Sequence, residues 1–363
     1  MDCFPQQLLN LVTGRSNAGN IKLTTELSQG PVDILALGSG WTWSFLGPAA
    51  GEAGLRTIST TRNGGNGTIP FTFDPESDDK TPFESLPDAK TVIVIFPLYS
   101  ADAAKRLVNG YISTRSEAYS MTPFSEKAVD TSRARFILLG STGIYGQGGP
   151  TLQNAPCNLS SADQSADTLF NQTLKKGSHQ SPWFDRNSKI DDVPRSRGEN
   201  AFLEFNQNKD AVQTSVLCLS GLWGHGRSLR RYVGRIAPTR ERLAKLGSVH
   251  FIHGHDLARA LLAMHDQWNK AAGQRWILTN ERVYDLWDLI SQWGNAGEDG
   301  RDHIPQGLQP IWVQELINES RKSKKESTRI RALPRTPEQL GYALDSSDFW
   351  STFGLFPEVP WVD

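Results

Sequence analysis

The hydrophobic pattern of the chain alternates between two periods. Short apolar, β-branched runs read as buried strands, and the stretches between them carry apolar residues at helical spacing. Val32-Asp33-Ile34-Leu35-Ala36-Leu37 predicts a first strand, and a helix over roughly 41–53 follows it. Residues 55–61 predict a second strand, 63–67 a glycine-rich loop, and 69–73 a short third strand before an acidic loop at 74–82. Thr91-Val92-Ile93-Val94-Ile95-Phe96, ended by Pro97, has the continuous apolar character of a central parallel strand. A helix at about 100–113 then leads to a buried strand over 135–140. Residues 147–190 are polar and too long for an ordinary connection, which predicts a lid or excursion. A helix at 195–208, strands at 214–219, 249–253 and 275–279, and helices at 256–268 and 284–293 complete the alternation, with Asp256 as the expected cap of its helix.

The junction after the first strand carries the most chemistry. Gly38-Ser39-Gly40-Trp41-Thr42 links a buried strand to a helix start, where glycines let backbone N–H groups approach a pyrophosphate at the positive end of the helix. With strands and helices alternating, this predicts an α/β fold: a doubly wound parallel sheet of the Rossmann type with a smaller C-terminal substrate-binding lobe. The expected organisation is an N-terminal extension over 1–30, an NAD(P)-binding domain over 31–223 to which 249–283 return, and a substrate lobe from 224–248 and 284–363.

Composition narrows the class without naming a function. The chain has 363 residues, 38% hydrophobic and 21% charged, ample for a core without covalent staples. A net charge of −1 gives no long-range pull toward nucleic acid or an anionic membrane. Cys3, Cys157 and Cys218 lack metal-ligand spacing and leave an odd thiol, which fits a reducing compartment. No apolar run reaches the roughly 18 residues of a membrane span. Residues 1–30 lack an apolar signal core, so a cytoplasmic protein, monomer or homodimer, is expected. Eleven tryptophans either fill the core or line a pocket for a flat organic ligand.

Four stretches carry a family resemblance. Leu139-Gly140-Ser141-Thr142-Gly143-Ile144-Tyr145-Gly146 resembles a strand ending in "SSTGVYG", and Leu219-Ser220-Gly221-Leu222-Trp223-Gly224-His225-Gly226-Arg227 resembles "RLAGIYGPGR". The stretch over 250–258 resembles "NRIHVDDLA", and that over 324–331 resembles "KRVSNARLR". In order over about residues 31–345, these resemble the atypical, extended short-chain dehydrogenases/reductases of the sugar-epimerase-like branch that lacks Tyr-x-x-x-Lys. The resemblance implies the fold strongly and the chemistry weakly. Aligning the family's glycine with Gly198 puts Arg197 at the tyrosine and Ala201 at the lysine, neither of which transfers protons near neutral pH.

The expected cofactor is NADP(H), held by Gly38, Ser39, Gly40, Trp41, Thr42, Arg62 and Pro97. Trp43 stands where the third glycine of the fingerprint is expected, but that glycine serves helix packing rather than phosphate approach. The second strand ends Thr60-Thr61-Arg62 with no carboxylate for a ribose hydroxyl, and a guanidinium there suits a 2′-phosphate. The alternative for Arg62 is a solvated loop side chain. In the resembled family, hydroxyls placed like those of Ser141 and Thr142 bond a substrate oxygen, and Tyr145 is near enough in sequence to share that pocket; a half-buried, satisfied ring is the plainer reading of Tyr145. Arg197 either binds an anionic group or pairs with Glu199 or Glu204. His225, between two glycines, is a candidate acid at the pocket mouth. The histidines at 250, 253 and 255 do not make a metal set, and none is expected. The basic run from Lys322 to Arg335 reads as a solvated helix end or lid, not a nucleic-acid site. The expected function is NADP(H)-dependent reduction or dehydrogenation of a small carbonyl or enone; the alternatives are a non-redox isomerase, cyclase or dehydratase, or a non-catalytic NADP(H)-binding protein.

Overall fold

Seven parallel strands form one sheet: β1 (Val32–Leu37), β2 (Thr57–Thr61), β3 (Ile69–Pro70), β4 (Ala89–Val94), β5 (Ala134–Ser141), β6 (Val212–Leu219) and β7 (Arg275–Leu278). Their order across the sheet is β7-β6-β5-β4-β1-β2-β3. The computed structural model describes residues 30–115, 134–146, 182–207, 212–228, 230, 233–293, 307–324 and 326–362. The expected N-terminal extension, apart from residue 30, and 147–181 of the long connection lie outside the described residues. Leu35 lies beside both Ile58 of β2 and Val92 of β4, so the chain reverses its direction of travel across the sheet at β1. A crevice opens above the carboxyl ends of the strands at such a reversal.

The strand alternation divides the core between two faces. Leu35, Val92, Phe136, Leu138 and Val216 face one side, where the helices α2 (Ala101–Ser113) and α3 (Pro194–Glu204) bring Leu107, Val108, Tyr111 and Phe202. Ile34, Ile93, Ile137, Leu139 and Leu217 face the other, against α1 (Gly40–Glu52) and α4 (Gly254–Asp266). Both layers are apolar because a parallel sheet is covered on both sides. α1 holds its helix despite Gly47, Pro48 and Gly51, since Thr42, Leu46 and Ala50 are buried. Gly198 is needed in α3 because a side chain there would strike the Leu98 carbonyl.

A third cluster forms the lobe beside the sheet. Trp223, Val233, Ile236, Leu243 and Phe251 pack with Trp287, Ile290 and Trp293 of α5 (Leu286–Trp293) and Val313 and Ile317 of α6 (Gln309–Arg321). The C-terminal segment does not stay in this lobe. α7 (Ser347–Phe353) returns to the sheet, placing Phe349, Trp350 and Phe353 in the core around Trp276.

Four local expectations are corrected. The third strand is only Ile69–Pro70, and the stretch at 249–253 splits at His250 into two short strands with different partners. The cap of α4 is His253, whose Nδ1 accepts the His255 N–H at 3.2 Å. Asp256 is fully buried in the first turn, where its oxygens accept the N–H groups of Glu358 and Val359 at 2.9 and 3.0 Å and tie down the chain terminus. The basic run is not all solvated either. Arg335 is buried in a two-pronged bond to Asp285 at 2.9 and 2.7 Å, under the Trp287 ring.

Candidate functional site

The glycine junction lies at the carboxyl edge of β1, beside the point where the sheet reverses. Gly38 and Gly40 have φ of +97° and +55°, conformations that side chains disfavour. The Gly38 N–H donates to Thr60 Oγ1 at 2.8 Å, so the end of β2 fixes the turn. Thr60 was not among the expected site residues, although a hydroxyl at a strand end beside the motif was the available signal. Ser39 occupies the N-cap of α1, yet its hydroxyl makes no capping bond. The N–H groups of Gly40, Trp41 and Thr42 meet no acceptor among the described residues. A Cβ added to Gly40 would touch nothing within 4 Å. The helix therefore presents open donors and its positive end to an unobstructed space. Trp43 does not close it: the ring lies along α1, 3.1 Å from where a Gly47 side chain would begin.

A tight turn docks onto the same helix. Gly224 and Arg227 exchange backbone hydrogen bonds at 3.0 and 3.1 Å, with His225 between them at φ +44°. Trp41 Nε1 donates to the Gly224 carbonyl at 2.8 Å, and the Arg227 guanidinium lies 4.5 Å from the Trp41 ring centre. Phe45 stacks on His225 at 3.7 Å, and Ser44 Oγ lies 3.0 Å from His225 Nδ1. His225 is exposed. Arg62 is exposed just past β2 and has no hydrogen bond or ion pair among the described residues. Pro97 is exposed past β4.

The hydroxyl candidates separate by burial. Ser141, at the end of β5, is half-buried, and its Oγ accepts the Gly143 N–H at 3.1 Å. Thr142 is buried, and its hydroxyl donates to the Leu219 carbonyl at 3.2 Å. Tyr145 is buried as well, with its hydroxyl aimed at the Arg186 carbonyl at 3.5 Å; burial pushes its acidity far below that of a free phenol. These placements give Thr142 and Tyr145 structural partners. Arg197 is exposed and grips Asp192 through two bonds of 2.7 and 3.0 Å, rather than the acids on its own helix.

Behind Ser141 lies a buried polar knot that the sequence reading missed. Glu199, with no exposed surface, accepts the Ser141 N–H at 3.0 Å and Arg195 Nε at 3.0 Å through one oxygen. Its other oxygen pairs with Arg275 and lies 3.7 Å from the Cys218 sulfur. Arg195 also donates to the Leu139 carbonyl at 2.6 Å, and Arg275 to Asn200 Oδ1 at 2.7 Å. Burial pushes the Cys218 thiol up to about 12, so it stays protonated and inert. The i, i+4 spacing of Arg195 and Glu199 was a visible signal, but its burial was not. Among the described residues no group of His, Cys, Asp or Glu could hold a metal, and no helix is long and apolar enough to cross a membrane.

No family model matches the chain, and no curated protein does. Solved structures do. MoeE5 in complex with UDP-glucose and NAD aligns with a TM-score of 0.51 at 13% identity, covering 90% of this chain and 94% of its own. A short-chain dehydrogenase/reductase superfamily protein from Agrobacterium tumefaciens with bound NAD aligns with a TM-score of 0.50 at 13% identity, covering 90% and 92%. The class is that of α/β Rossmann folds with a parallel sheet. Within it, the chain shares its fold with these two solved structures, both of which hold NAD.

Proposed function

We propose that the chain binds NADP(H) at the carboxyl edge of its sheet and reduces or oxidises a small organic carbonyl compound. The observation that carries the reading is the open start of α1: three N–H donors without acceptors, an uncapped Ser39 and free space over Gly40. That donor set fits a diphosphate, which needs neutral donors and a positive dipole more than side-chain bulk. Gly38, Ser39, Gly40, Trp41 and Thr42 would hold the diphosphate through the backbone, and Arg62 a 2′-phosphate, with Pro97 bordering the pocket. The solved relatives named above carry NAD, so the preference for NADP(H) rests on Arg62 and on the missing carboxylate after β2.

When bound, the cofactor would supply or accept the hydride. Ser141 is the hydroxyl placed to hydrogen-bond a substrate oxygen, with its backbone held by Glu199. Thr142 and Tyr145 stand behind it in support, so proton exchange falls to His225 at the rim or to solvent. In this reading residues 31–223 with 249–283 and the returning α7 form the cofactor domain, and 224–248 with α5 and α6 the substrate lobe. A non-catalytic NADP(H)-binding protein is the second reading, favoured by the bonds that occupy Thr142, Tyr145 and Arg197.

Titration of the purified protein with NADPH and with NADH tests the reading. NADPH should bind more tightly, and Arg62→Ala should weaken NADPH by about tenfold while leaving NADH unchanged. Equal, negligible binding of both nucleotides would remove the proposal. NADPH binding without turnover on a panel of ketones, aldehydes and enones would favour the second reading.

A further inference from the structure

One hydroxyl on α1 decides where the imidazole beside it carries its proton. Ser44 Oγ lies 2.7 Å from the Trp41 carbonyl oxygen and 3.0 Å from His225 Nδ1. A hydroxyl has one proton, and a carbonyl oxygen has none to give. Two bare oxygens at 2.7 Å would repel, so the Ser44 proton points at Trp41. Ser44 Oγ can then only accept from the ring, which places a proton on His225 Nδ1. The other ring nitrogen, Nε2, has no hydrogen-bond partner among the described residues, and His225 is exposed.

The ring is fixed in this pose. Phe45 stacks on it with the planes 16° apart, and the Trp41 side chain fastens the turn on both sides, at Gly224 and at Arg227. His225 itself sits at φ +44°, a backbone that glycine adopts freely and a residue with a β-carbon does not. A side chain kept at a strained position points to a use for it. The surroundings fit a reaction at the cofactor. Ser44 stands about 6 Å along α1 from Gly40 and its open N–H donors. The turn also follows the end of β6, where Leu219 pairs with Ser141.

We propose that Ser44 is a positioning residue for proton exchange at His225: it locks the imidazole in the Nδ1–H form and leaves Nε2 as the atom that gives or takes the proton. This rests on the NADP(H)-dependent carbonyl reading above and names the acid within it. In the reducing direction NADPH supplies a hydride to the carbonyl carbon, the π pair moves to oxygen, and that oxygen takes the proton from Nε2 of the imidazolium. The ring is left neutral with Nδ1–H still on Ser44, so it takes its next proton from water without turning over.

Full-length protein labelled with 15N-histidine tests this by NMR in alkaline buffer, where free imidazole is neutral. The His225 signal is identified by its loss in His225→Asn. It should show a protonated Nδ1 and a bare Nε2. Ser44→Ala should move the ring toward the Nε2–H form that free histidine prefers, and Ser44→Thr, which keeps the hydroxyl, should restore it. With NADPH and the carbonyl of the panel that the parent reduces, Ser44→Ala should lower kcat about tenfold, with KM and NADPH affinity unchanged and Ser44→Thr recovering the rate. An Nε2–H ring in the parent, or a ring form that ignores Ser44→Ala, overturns the proposal whatever the nucleotide does. So does an unchanged kcat once the ring form has moved. Absence of NADPH binding or of any reduced carbonyl defeats the underlying reading and the proposal with it. The two failures are told apart because the ring form is read without nucleotide. Ser44 is exposed on a helix, where alanine is well tolerated, and the parent spectrum stands even if the variant does not fold.

Discussion

The two ends of the candidate cleft are built on opposite plans. At the glycine junction, the N–H groups of Gly40, Trp41 and Thr42 and the Arg62 side chain have no protein partner among the described residues. At α3, Glu199 gathers Arg195, Arg275 and the Ser141 N–H into one buried group. One end offers donors to a ligand, and the other directs its polar atoms into the fold. The fold thus leaves donors open at the end of β1 while a buried polar group ties α3 to strands β5, β6 and β7. The contrast predicts that mutations at the two ends separate stability from nucleotide affinity.

The largest effect is expected at the closed end. Glu199→Gln removes the one carboxylate that contacts Arg275 among the described residues, and leaves that largely buried guanidinium uncompensated. Breaking a buried pair on one side costs about 3–5 kcal/mol. Urea unfolding should show that loss, with NADPH affinity unchanged in the protein that remains folded. A loss below about 1 kcal/mol would mean that the knot is not holding the corner.

The same region should respond to acid. His250 is buried beside Tyr342, whose hydroxyl donates to the Thr142 carbonyl at 3.4 Å. Its Nε2 accepts the Leu344 N–H at 3.0 Å, and burial holds the ring neutral down to about pH 3. The unfolded chain binds this proton at the ordinary value of 6.5, so stability is full above that pH and falls as pH drops below it, levelling near 3. From pH 6.5 to 4.5 the loss from this one group is about 2 kcal/mol. His265, lowered to about 4 chiefly by burial, adds to it in the same direction. In denaturation curves across this range, His250→Gln should remove about one proton from the slope; an unchanged slope would place the titration elsewhere.

The legible and illegible parts of the chain divide along the same line. Continuous apolar strands and the glycine junction are local signals, and β1, β4, β5 and β6 stand within two residues of where the pattern placed them. That the sheet is parallel follows from strands alternating with helices. Long-range partners had no such signature. Nothing near Asp256 announces that residues 358 and 359 return to it, and nothing near Arg335 announces Asp285, 50 positions away. Glu199 looked like any helical surface carboxylate because its burial depends on Arg275 and Cys218, from two other strands. Tyr145 and Thr142 were read by analogy as site hydroxyls, and their burial depends on Arg186 and Leu219.

The smallest change in stability, and the largest in affinity, is expected at Gly40. Aspartate there must adopt φ near +55°, which costs an ordinary residue about 1–2 kcal/mol and aspartate less, since its side chain tolerates this region. Space for the side chain is free, because a Cβ would touch nothing within 4 Å. The new carboxylate lies at the positive end of α1 beside unfilled N–H donors, a favourable position by about 0.3–1 kcal/mol. These terms nearly cancel, and Gly40→Asp should unfold within about 1 kcal/mol of the parent chain in urea. The same carboxylate occupies the donors that a diphosphate needs and repels its charge, so NADPH affinity should fall about a hundredfold or more, an effect that added salt weakens. If Gly40→Asp instead binds NADPH as the parent does, the nucleotide is held elsewhere, and the open helix start is only an unfilled turn.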